Sequence, residues 1–260
     1  MTATVSLDIS GALARVTLSH TGKFNAMSRA MWVELRSVFL SIQNDPAIRC
    51  VLIKGEGGHF CAGGDISEYA GFRFAEASLR DFHENDVWGG LQAMLDCDVP
   101  VVAQIEGNCM GAGLEISSCC DIRMAAESAR FGAPIAKLGF PMAPREAALV
   151  MRAVGELTAR EMLLSAAVLD AAEMKQRGFL NSVAADHELA AAVQSCAERI
   201  GSLAPGAARL NKQAFRALAG VSPAQPATDL IANAYAYADA PEHREGVRAF
   251  IEKRQPRFGR

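Results

Sequence analysis

Two glycine-rich segments, each following an apolar run, constrain the fold of this chain more than any other feature. The later one spans residues 107–115 and follows the apolar run 99–105. The run is typical of a buried strand, and the residues from Leu114 onward are typical of the first turns of a short helix. Small residues at 111–113 allow a tight turn and a close approach of a ligand to the backbone amides. The sequence therefore predicts a helix N-terminus that is open to a ligand.

This segment also carries a carboxylate, because Glu115 lies in the first turn of the predicted helix. Amides can stabilise a developing negative charge, and a neighbouring carboxylate can move a proton, so together they suit a catalytic centre. A glutamate at this position can also serve only as a partner for the helix dipole. The segment taken alone leaves both interpretations open.

The earlier glycine-rich segment, residues 57–66, has the same organisation. It follows the apolar run 50–55 and precedes a stretch, 67–95, in which we predict helices with a loop near 70–78. Further strands are predicted at 5–9, 13–18 and 121–126. A helix over 31–42 is predicted with Ser28 as its N-cap, and another is predicted to begin at Pro144. From Pro205 onward the pattern is helical, with Pro223, Pro226 and Pro241 as interruptions.

Composition excludes several classes of function. The 260 residues carry a net charge of −3, so we expect no affinity of the whole chain for nucleic acid or for an anionic membrane. The N-terminus lacks the pattern of a signal peptide, and no apolar stretch is long enough to cross a bilayer. The seven cysteines are odd in number and form no Cys-x-x-Cys pair, which favours reduced thiols. A cytoplasmic protein is the expectation.

Four segments carry a resemblance to a known family: residues 23–27, 60–66, 107–121 and 244–254. In order and spacing they resemble the enoyl-CoA hydratase/isomerase (crotonase) superfamily. The resemblance implies an α/β fold, a crotonase-like spiral of ββα units over residues 1–200, with a helical assembly region over 201–260. It also implies self-association to a trimer or a hexamer built as a dimer of trimers.

The resemblance further implies an acyl-CoA thioester as the substrate, as in fatty acid metabolism. Backbone amides that fall on Ala62 and Ala112 would form the oxyanion hole, and Glu115 would be the catalytic acid/base. Coenzyme A would enter as part of the substrate, and neither a prosthetic group nor a metal is expected. The expected substrate-binding residues follow the same motifs. They are Lys23, Ala26, Cys61, Gly63, Gly64, Asp65, Ile66, Gly111, Ile135 and Lys253.

The chain departs from the hydratase pattern at one position. Hydratases of the family use two glutamates to split water across a double bond, and the second would stand at Ile135. Isoleucine moves no proton, so efficient two-acid hydration is not expected. A single carboxylate over an oxyanion hole can still isomerise a double bond, protonate an enolate after decarboxylation, or hydrate more slowly. The alternative is a family member that binds acyl-CoA without turnover.

Three other groups of polar residues have less definite roles. Asp81, His83, Glu84 and Asp86 do not share one face of an α-helix, so no metal site is predicted there. The pair 145–146, arginine and glutamate, stands where the family has small residues, and both a capping role and a role in the acyl pocket remain open. Lys253 either meets the phosphates of coenzyme A or belongs to a solvated basic tail.

Overall fold

The computed structural model describes residues 3–219 and 240–258. Two sheets lie within these residues. The larger has the order β1-β2-β3-β4-β6-β9, in which β1 and β2 are antiparallel and all other neighbours are parallel. The smaller has the order β5-β7-β8. The strands are β1 (Thr4–Ser10), β2 (Leu13–Ser19), β3 (Cys50–Gly55), β4 (Val101–Ile105), β5 (Asn108–Met110), β6 (Ile122–Ala126), β7 (Arg130–Gly132), β8 (Val168–Asp170) and β9 (Ser182–Ala184).

Helices follow most of the strands. The α-helices are α1 (Arg29–Asn44), α2 (Glu76–Asp81), α3 (Trp88–Asp96), α4 (Ala112–Ser118), α5 (Pro144–Val154), α6 (Glu156–Ser165), α7 (Ala171–Gln176), α8 (Leu189–Gly201), α9 (Pro205–Leu218) and α10 (Pro241–Ile251). A π-helical turn, Phe82–Val87, joins α2 to α3. Short 3₁₀ helices cover Ile66–Gly71 and Pro134–Leu138.

The burial of the strands explains their composition. Every residue of β4 is buried, and β3 is buried at all positions except Lys54. A parallel strand that is covered on both faces has a nearly continuous apolar sequence, and β3 and β4 both have such a sequence. On one side, α1 buries Trp32, Leu35 and Phe39 against α3 and β1. On the other side, α8 packs against β3 and β4.

Local signals placed several elements correctly. The Ser28 side chain accepts a hydrogen bond from the Met31 amide at the start of α1, and Pro144 is the first residue of α5. The mixed pattern over 67–95 resolves into a 3₁₀ helix, a loop, and helical segments interrupted by the π-helical turn. Pro223 and Pro226 lie outside the described residues, so the structure describes the C-terminal region 201–260 only in part.

Three further findings concern composition. All seven cysteines are buried and none forms a disulfide. Within residues 3–219 and 240–258, no cluster of three or more His, Cys, Asp or Glu side chains could hold a metal ion. In the same part of the chain, no helix combines the length and the apolar character needed to cross a membrane.

Candidate active site

The two glycine-rich segments lie side by side in the structure. Cys61 and Cys109 form an isolated parallel bridge, in which the Cys61 amide donates to the Asn108 carbonyl at 2.8 Å and the Met110 amide donates to the Cys61 carbonyl at 2.9 Å. A Cβ on Gly113 would stand 2.6 Å from the Cys61 carbonyl oxygen, so only glycine allows this approach. The N-terminus of α4 is therefore held directly against the earlier segment.

A cavity of about 350 Å³ opens at this junction. Many of the residues that the resemblance assigned to catalysis, the oxyanion hole or substrate binding line it: Ala62, Gly63, Gly64, Ile66, Gly111, Ala112, Glu115 and Ile135. The remaining wall is mostly aromatic or aliphatic, and it includes Trp32, Tyr69, Phe82, Leu138, Phe140 and Met142. The cavity is thus largely apolar, with few polar groups, as is usual for sites that bind organic ligands.

Five of the assigned residues do not line the cavity. Lys23 extends its Nζ to Asp65 Oδ2 at 2.6 Å and to Ser67 Oγ at 2.7 Å, which fixes the start of the 3₁₀ helix at Ile66. Ala26 and Cys61 are buried beside the loops. Lys253 is exposed, just beyond α10.

One of the two backbone amides assigned by resemblance already has a hydrogen-bond acceptor. The Ala62 amide donates to the Phe24 carbonyl at 3.0 Å and is therefore already engaged. Gly64 is held by a bridge to Met27, whose amide donates to the Gly63 carbonyl and whose carbonyl accepts from the Asp65 amide, both at 2.8 Å. Because amides alternate in direction along extended backbone, the Gly64 amide is directed away from Met27. No acceptor from the described residues meets the amide of Gly64 or that of Ala112.

Glu115 stands half-buried at the wall of the cavity, one turn into α4. Its backbone amide donates to the Gly111 carbonyl at 2.9 Å. Burial, and secondarily the negative charge of Glu146, raise the pKa of the Glu115 carboxyl from an ordinary value of 4.5 to about 8. A carboxyl that titrates near neutral pH can both take and return a proton.

Glu146 is the functional candidate that sequence reasoning left undecided. It lies on the buried face of α5 with Leu149, Val150 and Val154, and only 2% of its side chain is exposed. Its Oε1 is 3.1 Å from Nδ1 of His83, which belongs to the π-helical turn and lines the cavity. Glu146 occupies one position of a helical stripe whose other members, Leu149, Val150 and Val154, are apolar. A charged residue within such a stripe is the sequence signal that could have identified it.

Comparisons with known proteins agree with this geometry. The family model described as enoyl-CoA hydratase/isomerase matches residues 8–260. A probable enoyl-CoA hydratase of Mycobacterium bovis is 32% identical over 246 residues, covering 94% of this chain and 93% of that protein. The chain belongs to the enoyl-CoA hydratase/isomerase family.

Two further relatives extend the comparison. A crotonyl-CoA hydratase of Syntrophomonas wolfei is 31% identical over 249 residues, covering 95% of this chain and 94% of that protein. The crystal structure of an enoyl-CoA hydratase/carnithine racemase from Magnetospirillum magneticum superposes with a TM-score of 0.93 at 34% identity, covering 98% of this chain and 95% of that one. The α/β fold is therefore that of the crotonase superfamily.

In this family member, one wall of the cavity contains aromatic side chains packed against an arginine guanidinium. The Arg73 guanidinium lies 3.8 Å from the centroid of the Phe140 ring and 4.5 Å from that of Tyr69. Tyr69 also packs edge-on against Phe82, on the π-helical turn. The turn that carries His83 is thereby tied to the aromatic wall.

The raised pKa of Glu115 predicts how stability depends on pH. Ionising this carboxyl costs more in the folded chain than in the unfolded chain, so the penalty is absent below pH 4.5 and grows as the pH rises toward 8. Glu115→Gln should therefore gain stability relative to the native protein across that interval. Urea unfolding at several pH values measures the difference. Glu127→Gln, which changes an exposed carboxylate, should show no such trend; parallel curves for Glu115→Gln and the native protein would contradict the expectation.

Proposed function

We propose that this protein catalyses enolate-forming proton transfer on an acyl-CoA thioester, and that double-bond isomerisation is the reaction it performs best. The observation that carries the proposal is the composition of the cavity. It contains one carboxylate with a raised pKa, Glu115, together with the amides of Gly64 and Ala112, which meet no acceptor in the described residues. A base and two free donors in one apolar cavity are what an enolate requires.

The two amides would hold the thioester carbonyl oxygen as it gains negative charge. Gly64 takes the place of Ala62 in this proposal, because the Ala62 amide is engaged by Phe24. Tyr69 keeps the position small, since a Cβ on Gly64 would stand 2.1 Å from the Tyr69 hydroxyl. One donor of this kind contributes about 2.7–4 kcal/mol to the stability of an oxyanionic transition state.

Glu115 would act as the base that removes a proton from C2 of the acyl group. The C–H electron pair then becomes the enolate, whose charge the amides hold. In a 3-enoyl thioester the enolate is conjugated with the double bond, and a proton delivered to C4 completes the shift to a 2-enoyl thioester. The raised pKa of Glu115 suits this role, since proton transfer is most effective near the working pH.

Hydration is the second candidate, favoured by the names of the relatives, since the proteins of Mycobacterium bovis and Syntrophomonas wolfei are both named as hydratases. The observation against it is Ile135, which lines the cavity. By the family resemblance, this is the position at which hydratases carry their second glutamate. An isoleucine gives no hydrogen bond to a water molecule. A purely binding function is disfavoured by the presence of Glu115. Partial burial of a carboxylate costs free energy, and a binding function offers no compensation for that cost, whereas proton transfer does.

Glu115→Gln tests the central role. It should lower isomerisation of a short 3-enoyl-CoA by about 10²–10⁴, the contribution of a positioned acid or base, with acyl-CoA affinity nearly unchanged. Steady-state rates and calorimetric binding supply the two measurements, and Glu127→Gln is the matched control. Undiminished turnover in Glu115→Gln would remove this residue from the mechanism.

Ile135→Glu tests the preference between the two reactions. A carboxylate at this wall should raise the hydration of crotonyl-CoA by at most about 10²–10⁴ and should lower the melting temperature, since a partly buried charge is introduced. Ile135→Gln introduces a side chain with nearly the same shape as glutamate but without an acidic proton, so it should show no gain in hydration. Native protein that already hydrates crotonyl-CoA much faster than it isomerises a 3-enoyl-CoA would refute the preference.

Self-association to a trimer or hexamer forms part of the proposal. The helix α9 exposes Leu210, Phe215 and Leu218 to 44%, 71% and 75%. Such side chains on one helix are typical of a surface that another subunit covers. Multi-angle light scattering at micromolar concentration should give at least three times the mass of the chain, and a stable monomer would contradict this.

A further inference from the structure

The carboxylate of Glu146 has an unusual environment. Among the residues that the structure describes, its Oε2 is the one buried side-chain nitrogen or oxygen without a hydrogen-bond partner. The side chain is 2% exposed and lies on the apolar face of α5. A buried carboxylate that is only half satisfied destabilises a fold, so its presence calls for a compensating role.

The single partner of this carboxylate lies at the cavity. His83 Nδ1 is 3.1 Å from Glu146 Oε1, and the imidazole lines the same cavity as Glu115. Its other ring nitrogen, Nε2, has no hydrogen-bond partner from the described part of the chain. The side chain of His83 is 22% exposed, so a bound ligand could reach the ring.

We propose that His83 is the second proton-transferring group of this site and that Glu146 positions it. This inference rests on the proposed acyl-CoA isomerisation and specifies which group serves C4. Glu146 Oε1 accepts a hydrogen bond from Nδ1–H, which leaves Nε2 as the nitrogen that exchanges protons. In this way His83 gives the site a second acid, although position 135 is isoleucine.

The proton transfers balance as follows. Glu115 takes the proton from C2, and the C–H electron pair enters the conjugated enolate. The His83 imidazolium gives its Nε2 proton to C4, where the enolate electrons form the new C–H bond and leave a C2=C3 double bond. Nε2 keeps the electron pair of its former N–H bond. Glu115 is then protonated and His83 neutral, and transfer of one proton between them through solvent restores the starting state.

An isotope experiment separates this arrangement from a mechanism in which Glu115 serves both carbons. A short 3-enoyl-CoA deuterated at C2 is converted in ordinary water, and the product is analysed by mass spectrometry and NMR. With His83 as donor, the hydrogen at C4 comes from solvent. With Glu115 alone, part of the deuterium moves from C2 to C4. Deuterium at C4 in the product of the native protein would overturn the proposal.

His83→Gln provides the matched variant, because glutamine keeps a hydrogen-bonding side chain but transfers no proton. It should lower kcat by about 10²–10⁴ with KM within about threefold, and its residual product should carry deuterium at C4. His83→Ala should regain part of its activity with added imidazole, whereas Glu115→Gln should not. If His83→Gln keeps the native kcat, His83 is not the proton donor.

Glu146→Gln tests the positioning role by its own signature. It should lower kcat with little change in KM, while the hydrogen at C4 still comes from solvent because His83 remains in place. An unchanged kcat would refute a role for Glu146. If the native protein converts no enoyl-CoA at all, the proposed function fails; if Glu115→Gln is inactive while His83→Gln is fully active, only the present inference fails.

Discussion

The close contact between the two glycine-rich segments is the constraint on which the site depends. The Cys61 carbonyl lies where a side chain at position 113 would otherwise stand, so α4 can begin directly against the earlier loop. This contact brings the Gly64 amide, the Ala112 amide and the Glu115 carboxylate to the wall of one cavity. Each of these groups taken singly is common in proteins, and their proximity distinguishes this cavity. Packing of strands β3 and β4 in the buried sheet sets that proximity.

Electrostatics in this cavity follow from its apolar walls. Removal of water raises the pKa of Glu115, and the nearby charge of Glu146 raises it further. A charge on Glu146 is in turn compensated on one oxygen only, through His83. The wall of the cavity thus carries the Glu115 carboxyl and the His83 imidazole, and the Glu146 carboxyl lies within hydrogen-bond distance of that imidazole. With isoleucine at position 135, Glu115 still shares the wall of the cavity with the titratable side chains of His83 and Lys137.

Sequence reasoning reached the fold and much of the cavity because those features depend on local chemistry. A serine before an apolar helix, a proline at a first helical turn and glycines between strand and helix have direct structural consequences. Sequence reasoning could not choose between the amides of Ala62 and Gly64 as the proposed oxyanion donor. The direction of the Gly64 amide depends on a bridge to Met27, which comes from another part of the chain. Glu146 was recognisable in principle as a charge within an apolar stripe, but its partner was not.

The position of His83 depends on a helical repeat that sequence periodicity did not reveal. Asp81 and Asp86 are five residues apart, which is the repeat of a π-helix, and both reach the guanidinium of Arg29. Asp81 Oδ2 accepts from Nη2 at 3.0 Å, and Asp86 Oδ2 accepts from Nε at 2.7 Å. Under α-helical spacing these carboxylates would lie on different faces. Arg29 thus holds the turn on one side while Phe82 and Val87 are buried, and His83 meets Glu146 beside the cavity. π-Helical turns are rare and often occur at functional sites, and the ion pairs of Arg29 tie this one to the start of α1.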